Sequence, residues 1–303
     1  MEILKGLDIC VKNSAVSLGK FDGLHRGHRL LLHEILEKKE FIPTVFTFEM
    51  SDTPQKYIYS QEEKNKILEE IGIRREILFP FNEQTKKMAP HDFIRDFLVA
   101  KLDVKYICVG EDFHFGKNRD GNVGILKRYA SEYGYDIKIF HKLQADNETI
   151  GSTLIRKKLE DGDIAKANDL LGRNYFIEGT VIHGNALGRT LNMPTANIVP
   201  DKSKLLLPSG VYASKVKIEG DSQVYKGVTN VGRKPTIGRY DIGVETCLLD
   251  FDRDIYGKKI TVEFYEHIRH EKKFPGLDEL KNQMEKDKER ARHILKNKFH
   301  NMM

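Results

Sequence analysis

The feature that most limits how this chain can fold is a change of sequence pattern near Gly172, about midway through 303 residues. Before that point, short runs of β-forming residues alternate with segments of helical spacing. The predicted strands are Ser14–Leu18 and residues 44–48, 76–79, 106–109 and 135–140, and the predicted helices are residues 27–39, 60–71, 90–102 and 123–133. This alternation predicts an α/β Rossmann-like domain, in which a parallel sheet carries helices on both faces.

After two short predicted helices in residues 151–171, the pattern becomes a series of strands separated by turns. The six predicted strands are residues 175–182, 195–198, 210–218, 224–230, 244–251 and 259–267. Strands at this spacing favour a small antiparallel β-barrel, and an amphipathic helix at 277–298 should pack on it. We therefore predict two domains, residues 1–172 and 173–303.

The composition narrows the range of partners. Fifty Lys and Arg residues against 45 Asp and Glu residues give a net charge of +5, a weak basic bias that suits anionic small molecules and does not indicate nucleic acid. No run of about eighteen apolar residues is present, and the N-terminus does not resemble a signal peptide, so no membrane association is expected. Cys10, Cys108 and Cys247 lie far apart, and this spacing predicts a reducing, cytoplasmic location.

The first chemical motif, G-K-F-D-G-L-H-R-G-H, joins the first predicted strand to the first predicted helix. Open α/β sheets bind ligands at this place, beyond the carboxyl end of a strand. His25 and His28 flank Gly27 where the helix begins, and a helix N-terminus with two imidazoles is suited to bind phosphate. A zinc site would have to recruit His33 as well, but no Cys or carboxylate is placed to complete a tetrahedral set.

This segment resembles the HxGH nucleotidyltransferase superfamily, and G-S-T-L-I-R at 151–156 is similar to the second signature of that superfamily. The resemblance implies that His25 and His28 stabilise phosphate charge during in-line attack. It also implies a set of ATP- and phosphate-binding residues: Gly19, Phe21, Asp22, Gly27, Ser152, Thr153 and Arg156.

The second motif opens the predicted barrel with a glycine-rich segment that ends in P-T-A-N at 194–197. Taken alone, the glycines fit an ordinary turn equally well. Together with V-E-T at 244–246 and D-I-Y-G at 254–257, the segment resembles the riboflavin kinase family. The resemblance implies that Glu245 is the general base and that Thr195 and Asn197 hold Mg²⁺. It implies ATP binding by Gly179, Gly184, Gly188, Arg189, Pro194, Thr195 and Asn197.

An HxGH domain followed by such a barrel resembles the bacterial bifunctional riboflavin kinase/FMN adenylyltransferase family, also called FAD synthetase. Residues 109–121 are similar to its flavin-side loop, which implies that Asp112, Phe113 and Arg119 lie beside the flavin. The family implies two reactions that use ATP as co-substrate and Mg²⁺. Riboflavin is phosphorylated to FMN in the barrel, and FMN is adenylylated to FAD, with release of pyrophosphate, in the first domain.

Several positions depart from the family pattern: residues 50–54, His114, Gly151, Asn192 and Cys247. Three of the five lie in the first domain, which leaves a second hypothesis open, a riboflavin kinase whose N-terminal domain is degenerate or regulatory. A flavin- or nucleotide-binding regulator, or an HxGH transferase with another acceptor, are further alternatives. The intact Glu245 and the barrel motifs argue against both.

Overall fold

A computed structural model of the chain describes residues 1–49, 56–183, 193–232 and 243–297. Its contacts divide the chain into two compact units. The first comprises Met1–Lys56 and Gln61–Ser152, and the second comprises Tyr57–Ser60 and Thr153–Met303.

The first unit is built on a six-stranded sheet in the order β1-β4-β3-β2-β5-β8, in which every neighbouring pair is parallel. Its strands are β1 (Glu2–Lys5), β2 (Ser14–Leu18), β3 (Ile42–Glu49), β4 (Arg75–Pro80), β5 (Val104–Gly110) and β8 (Asp136–Phe140). Two small hairpins are formed by β6 (His114–Phe115) with β7 (Gly121–Asn122) and by β9 (Gln144–Ala145) with β10 (Glu148–Thr149). The sequence analysis missed β1, because this short edge strand has no buried alternating face.

The helices of this unit are α1 (Arg26–Leu36), α2 (Gln61–Ile71), α3 (Glu83–Lys86), α4 (Pro90–Asp92) and α5 (Val123–Tyr133), with a 3₁₀ turn at Lys117–Arg119. Residues 90–102, predicted as one amphipathic helix, instead form α4 and a π-helix at Phe93–Val99. The phenylalanine rings of the π-helix pack against the sheet. Phe97 lies 4.6 Å from Phe79, and Phe93 lies 5.4 Å from Phe46, measured between ring centroids.

Helices cover both faces of the sheet, as predicted. On one face, Val16 and Leu18 pack into a cluster with Phe93 and other residues of the π-helix. On the other face, Tyr106 donates a hydrogen bond to Glu34 of α1 over 2.7 Å. The α/β Rossmann-like class of the first domain is therefore confirmed.

The strand order reverses at β2, which lies between β3 and β5. The chain passes from β2 to β3 and β4 on one side and then returns to β5 on the other. Leu18 and Val109, near the ends of β2 and β5, are paired. The loops that follow these two strands therefore begin side by side at the carboxyl edge, where open α/β sheets bind ligands.

The second unit is a six-stranded antiparallel sheet in the order β11-β16-β13-β14-β15-β12. Its elements are α6 (Ser152–Glu160), α7 (Ile164–Leu171), β11 (Phe176–Thr180), β12 (Thr195–Ile198), β13 (Gly210–Ile218), β14 (Val224–Gly232), β15 (Gly243–Leu248), β16 (Lys259–His270) and α8 (Leu277–Asn297). A bridge between Ile182 and Asn197 joins the first strand to the last, so the sheet curls into the predicted small barrel. Ala291, Ile294 and Leu295 of α8 pack on it.

The contact division lies N-terminal to the predicted domain boundary at 172/173. The reason is that α7 packs on the barrel: Asn168 donates to the carbonyl oxygen of Phe264 (2.9 Å) and accepts from the Tyr175 N–H (2.7 Å). The pattern change near Gly172 marks where strands begin, whereas packing assigns the two preceding helices to the barrel unit. None of the helices in the described part of the chain combines the length and apolarity that crossing a bilayer requires.

Candidate active sites

The loop between β2 and α1 has an unusual backbone. Phe21, Gly23 and Leu24 all adopt positive φ angles, of 51°, 84° and 44°. Non-glycine residues rarely adopt this conformation, and it persists only where the surroundings impose it. The side chains of Phe21 and Leu24 are fully buried, and the Gly19 N–H bonds to the Phe46 carbonyl oxygen over 3.1 Å. Burial and hydrogen bonding therefore hold the loop in a fixed shape at the carboxyl edge.

His25 and His28 are brought together at the start of α1. Their rings stack with centroids 3.6 Å apart, and His25 caps the helix, because its Nδ1 accepts the His28 backbone N–H over 3.3 Å. A nitrogen that accepts a hydrogen bond carries no proton, so the proton of neutral His25 lies on Nε2. The Nδ1 of His28 is buried and has no hydrogen-bond partner in the described part of the chain.

Both imidazoles are neutral at pH 7. Burial lowers the pKa of His25 to about 4. Burial and the adjacent His25 lower the pKa of His28 well below its usual value. An isolated buried cation is costly, so without a neighbouring anion the rings stay uncharged. A bound triphosphate would supply that anion, and neutral rings can donate N–H hydrogen bonds to it.

The rings of Phe21 and His25 occupy space that is open because residues 19 and 27 are glycines. A Cβ at Gly27 would lie 3.2 Å from the His25 ring, and a Cβ at Gly19 would lie 3.1 Å from the Phe21 ring. Both distances are tighter than ordinary packing, so a side chain at either position would displace a ring of the motif.

Ser152 is engaged with the same loop. Its hydroxyl donates to the carbonyl oxygen of Asp22 over 2.8 Å, and Asp22 itself is buried. This hydrogen bond gives Ser152 a role in holding the loop, while its predicted phosphate contact stays a prediction. Thr153 is exposed and Arg156 half-buried on α6. Their contacts with phosphate also stay predictions. At Gly151 no atom lies within 4 Å of a Cβ position, so the serine typical of the family would fit there.

The predicted flavin-side residues follow β5. Asp112 is exposed and forms an ion pair with Lys142 over 2.9 Å. Phe113 stacks on Phe115 with ring centroids 5.6 Å apart, and Arg119 is exposed at the end of the 3₁₀ turn. Of these, Asp112 and Phe113 lie in the loop beside the one that carries the histidines. Residues 50–54, where the sequence departs from the family, follow the end of β3 at Glu49 and lie outside the described residues.

His114, another departure, is exposed, and its Nδ1 donates to the carbonyl oxygen of Asp112 over 2.8 Å. It therefore helps to shape the flavin-side loop.

In the barrel, the predicted catalytic residues meet across two strands. Antiparallel pairing places Asn197 opposite Glu245 and Thr195 opposite Cys247, so all four share the outer face of β12 and β15. The Thr195 hydroxyl donates to Glu245 Oε1 over 2.6 Å. Asn197 is buried, whereas Glu245 is half-buried and reachable by a substrate.

A cavity of about 220 Å³ opens beside this pair, and it identifies residues to which the sequence analysis gave no role. Pro194, Thr195 and Asn197 line one side, and the segment from Phe251 to Tyr256 lines the other, including the carboxylates of Asp252 and Asp254. The signal for this segment was present in D-I-Y-G at 254–257, but nothing in sequence order connects that turn to P-T-A-N.

The remaining predicted kinase residues fall into two groups. Gly179 packs closely in the barrel, because a Cβ there would lie 2.9 Å from the Ile198 Cβ; its contact with ATP stays a prediction. Gly184, Gly188, Arg189 and Asn192 lie outside the described residues. Cys247 is buried, and burial raises the pKa of its thiol.

The donor set suits a hard cation. Within residues 1–49, 56–183, 193–232 and 243–297, no three His, Cys, Asp or Glu side chains converge as a metal site. The residues that line the cavity include Thr195, Asn197, Asp252 and Asp254, whose side chains contain hydroxyl, amide and carboxylate oxygens. Oxygen donors are what Mg²⁺ prefers, and it is usually held jointly with substrate phosphates.

A parallel sheet with stacked histidines at its switch point, followed by a barrel with a threonine–glutamate pair beside a cavity, defines a transferase with two nucleotide sites. The FAD synthetase family model matches residues 8–154, and the riboflavin kinase model matches residues 171–295. The chain belongs to the bifunctional riboflavin kinase/FMN adenylyltransferase family.

Proteins of that name include one from Haemophilus influenzae, 35% identical over 96% of this chain and 98% of its own length. Another, from Escherichia coli K12, is 37% identical over 92% of both chains. A crystal structure described as a macrolide-efflux protein from Streptococcus pneumoniae matches 96% of this chain and 99% of its own, with a TM-score of 0.84 and 28% identity. The efflux activity in that description concerns the pneumococcal protein.

Proposed function

We propose that this protein phosphorylates riboflavin to FMN in the barrel unit and adenylylates FMN to FAD in the parallel-sheet unit, using ATP in both reactions. The observation that carries the proposal is that each unit has its own constellation suited to one of the two reactions. The barrel offers a carboxylate that is hydrogen-bonded to Thr195 beside a cavity of about 220 Å³. The parallel sheet offers a helix N-terminus and two neutral imidazoles, which suit phosphate binding.

In the kinase reaction, Glu245 accepts the proton of the ribityl 5′-hydroxyl. The 5′-oxygen forms a bond to the γ-phosphorus of ATP, and the bond from that phosphorus to the β,γ-bridging oxygen breaks, releasing ADP. Thr195 donates to Glu245 Oε1 and so fixes the position of the carboxylate that accepts the proton. A positioned carboxylate suits this work, because the step depends mainly on orientation and charge stabilisation.

Mg²⁺ fits the oxygen donors beside this carboxylate, and when bound with ATP it neutralises charge on the phosphates. Thr195 and Asn197 would hold it. The Thr195 hydroxyl uses its proton toward Glu245, so its lone pairs face away from that bond and are available to a cation.

In the adenylyl transfer, a phosphate oxygen of FMN attacks the α-phosphorus of ATP, and the bond to the α,β-bridging oxygen breaks to release pyrophosphate. His25 donates from Nε2 to the phosphates, since its Nδ1 is occupied by the His28 N–H. The N-terminus of α1 adds backbone donors. No covalent enzyme intermediate is required, which agrees with a site built from a rigid loop and neutral imidazoles.

We further propose a cytoplasmic location, supported by free cysteines at positions 10, 108 and 247. The partners are the substrates and products themselves: riboflavin, FMN, FAD, ATP and pyrophosphate.

The test is a product assay with purified protein, riboflavin, excess ATP and Mg²⁺, with the flavins separated by chromatography. We expect FMN to appear first and FAD to follow. FMN without FAD, also when FMN is supplied directly, would retain the kinase and refute adenylylation. Unchanged riboflavin would refute the kinase.

A further inference from the structure

Asn230 lies on the outer face of β14, in the same row of paired residues as Asn197 and Glu245. Pairing places Asn197 opposite Glu245 and Glu245 opposite Asn230, so the three side chains lie on one face of three adjacent strands. Glu245 is thus flanked by an amide on each side. Asn197 lines the cavity, whereas Asn230 lies on the opposite side of Glu245, two strands from Asn197.

The orientation of the Asn230 amide follows from its neighbour. Its Nδ2 donates to Glu271 Oε1 over 3.4 Å, and a carboxylate can only accept, so the nitrogen must face Glu271. The Glu271 carboxylate occupies this position because residue 232 is glycine: a Cβ there would overlap it. Oδ1 of Asn230 therefore points away from Glu271.

That oxygen is buried and has no hydrogen-bond partner among the residues that the structure describes. An unsatisfied buried acceptor costs about 1–3 kcal/mol, and such groups in native proteins usually have a function or a missing partner. The strands on either side offer no donor in this row. Glu245 can only accept, and the residue opposite Asn230 on β13 is the apolar Val211.

We propose that Asn230 recognises the polyol chain of the kinase substrate, its Oδ1 accepting a hydrogen bond from a hydroxyl near the one that reacts. The inference rests on the proposed kinase function. Adjacent strands lie about 4.8 Å apart, so a group bound at Asn230 lies roughly that far from one bound at Glu245. This spacing corresponds to a hydroxyl one or two carbons from the 5′-hydroxyl, on C4′ or C3′. Asn230 is then a specificity residue that distinguishes a polyol from a simple alcohol.

The experiment compares Asn230→Ala with the wild-type protein on riboflavin, 4′-deoxyriboflavin and 3′-deoxyriboflavin, measuring kcat/KM for phosphorylation. One neutral hydrogen bond corresponds to roughly a tenfold change in rate. We expect the wild type to prefer riboflavin over one of the two deoxy analogues by about tenfold or more, and N230A to lose that preference. Lys226→Ala, on the same face of β14, should resemble the wild type.

Equal losses of N230A on riboflavin and on both analogues would overturn the proposal, because the residue would then act without reading a hydroxyl. The same conclusion would follow if the wild type did not discriminate between the three flavins. FAD formation from supplied FMN, measured on each variant, checks that the protein is intact. A wild type that phosphorylates none of the flavins would refute the kinase function itself, which separates the two failures.

Discussion

The two sites of this protein solve the same problem, the transfer of a group from ATP, in different ways. The parallel-sheet site is made by one continuous loop whose backbone is strained at Phe21 and Leu24 and whose imidazoles are neutral. The barrel site is made by strand register, which places Thr195, Asn197 and Glu245 on one face although they are far apart in sequence. From this difference we infer that adenylyl transfer to a phosphate needs only groups that bind the phosphates and stabilise their charge. Phosphorylation of a hydroxyl also needs a base.

Glu245→Gln should produce the largest difference between the effects on the two reactions. It keeps the shape of the side chain and removes the proton acceptor, so FMN formation should fall by roughly 10²–10⁴-fold. FAD formation from supplied FMN should remain. Glu266→Gln, on β16 and separated from β15 by two strands, serves as the control. A kinase rate within a few-fold of wild type in E245Q would contradict the assignment of the base.

His28→Ala should have the opposite effect, decreasing FAD formation and leaving FMN formation unchanged. Loss of a preorganised donor to developing phosphate charge typically costs about 10²–10³-fold in rate, so FAD formation should fall by that factor while FMN formation continues. His33→Ala is a matched control, because His33 lies on the same helix with a largely exposed side chain. Full FAD formation by H28A would show that the cradle does not use this imidazole.

The buried imidazoles should make the first unit sensitive to acid. Between pH 6.5 and 4 the unfolded chain binds a proton at His25 that the folded chain does not, because the folded pKa is about 4. The free energy of unfolding therefore has its full value above pH 6.5 and decreases as the pH is lowered through this window. At pH 5 the decrease from His25 alone is about 2 kcal/mol. The lowered pKa of His28 adds to the fall in the same direction.

Hydrogen exchange of peptides from α1, followed from pH 8 to pH 5 and corrected for intrinsic rates, measures this effect. His25→Asn keeps a residue that caps helices well and removes the titration, so its loss of protection should be smaller than that of wild type. His33→Asn should behave like the wild type. An equal loss in H25N and wild type would show that His25 does not titrate as its burial requires.

Ser152→Ala should have the smallest effect. It removes the hydrogen bond to the Asp22 carbonyl oxygen, worth about 1 kcal/mol, and loosens the loop that carries the histidines. We expect roughly a tenfold decrease in FAD formation with FMN formation unchanged. Ser152→Thr, which retains a hydroxyl, should recover part of the lost rate. Equal rates of FAD formation in S152T and S152A would show that the hydroxyl does not hold the loop.

Much of the fold could be predicted from sequence where the signal is local. The strand Ser14–Leu18 and the helix Val123–Tyr133 have the predicted bounds, because a short run of residues that is buried throughout and a capped apolar helix face are each encoded within a few residues. The π-helix at Phe93–Val99 was not predictable in this way. Its shape depends on aromatic residues such as Phe46 and Phe79, which belong to strands elsewhere in the chain.

The same division applies to the sites. The sequence predicts the histidine pair of the first site, because a strand, a loop and a helix start contain both histidines within ten residues, and local geometry brings them together. It also supplied Thr195 and Glu245 as candidates. The tertiary structure was needed to show that these two are hydrogen-bonded, that residues 251–256 line the cavity beside Thr195 and that Asn230 lies opposite Glu245. Strand pairing brings together residues that are distant along the chain, and that register is set by the packing of the whole barrel.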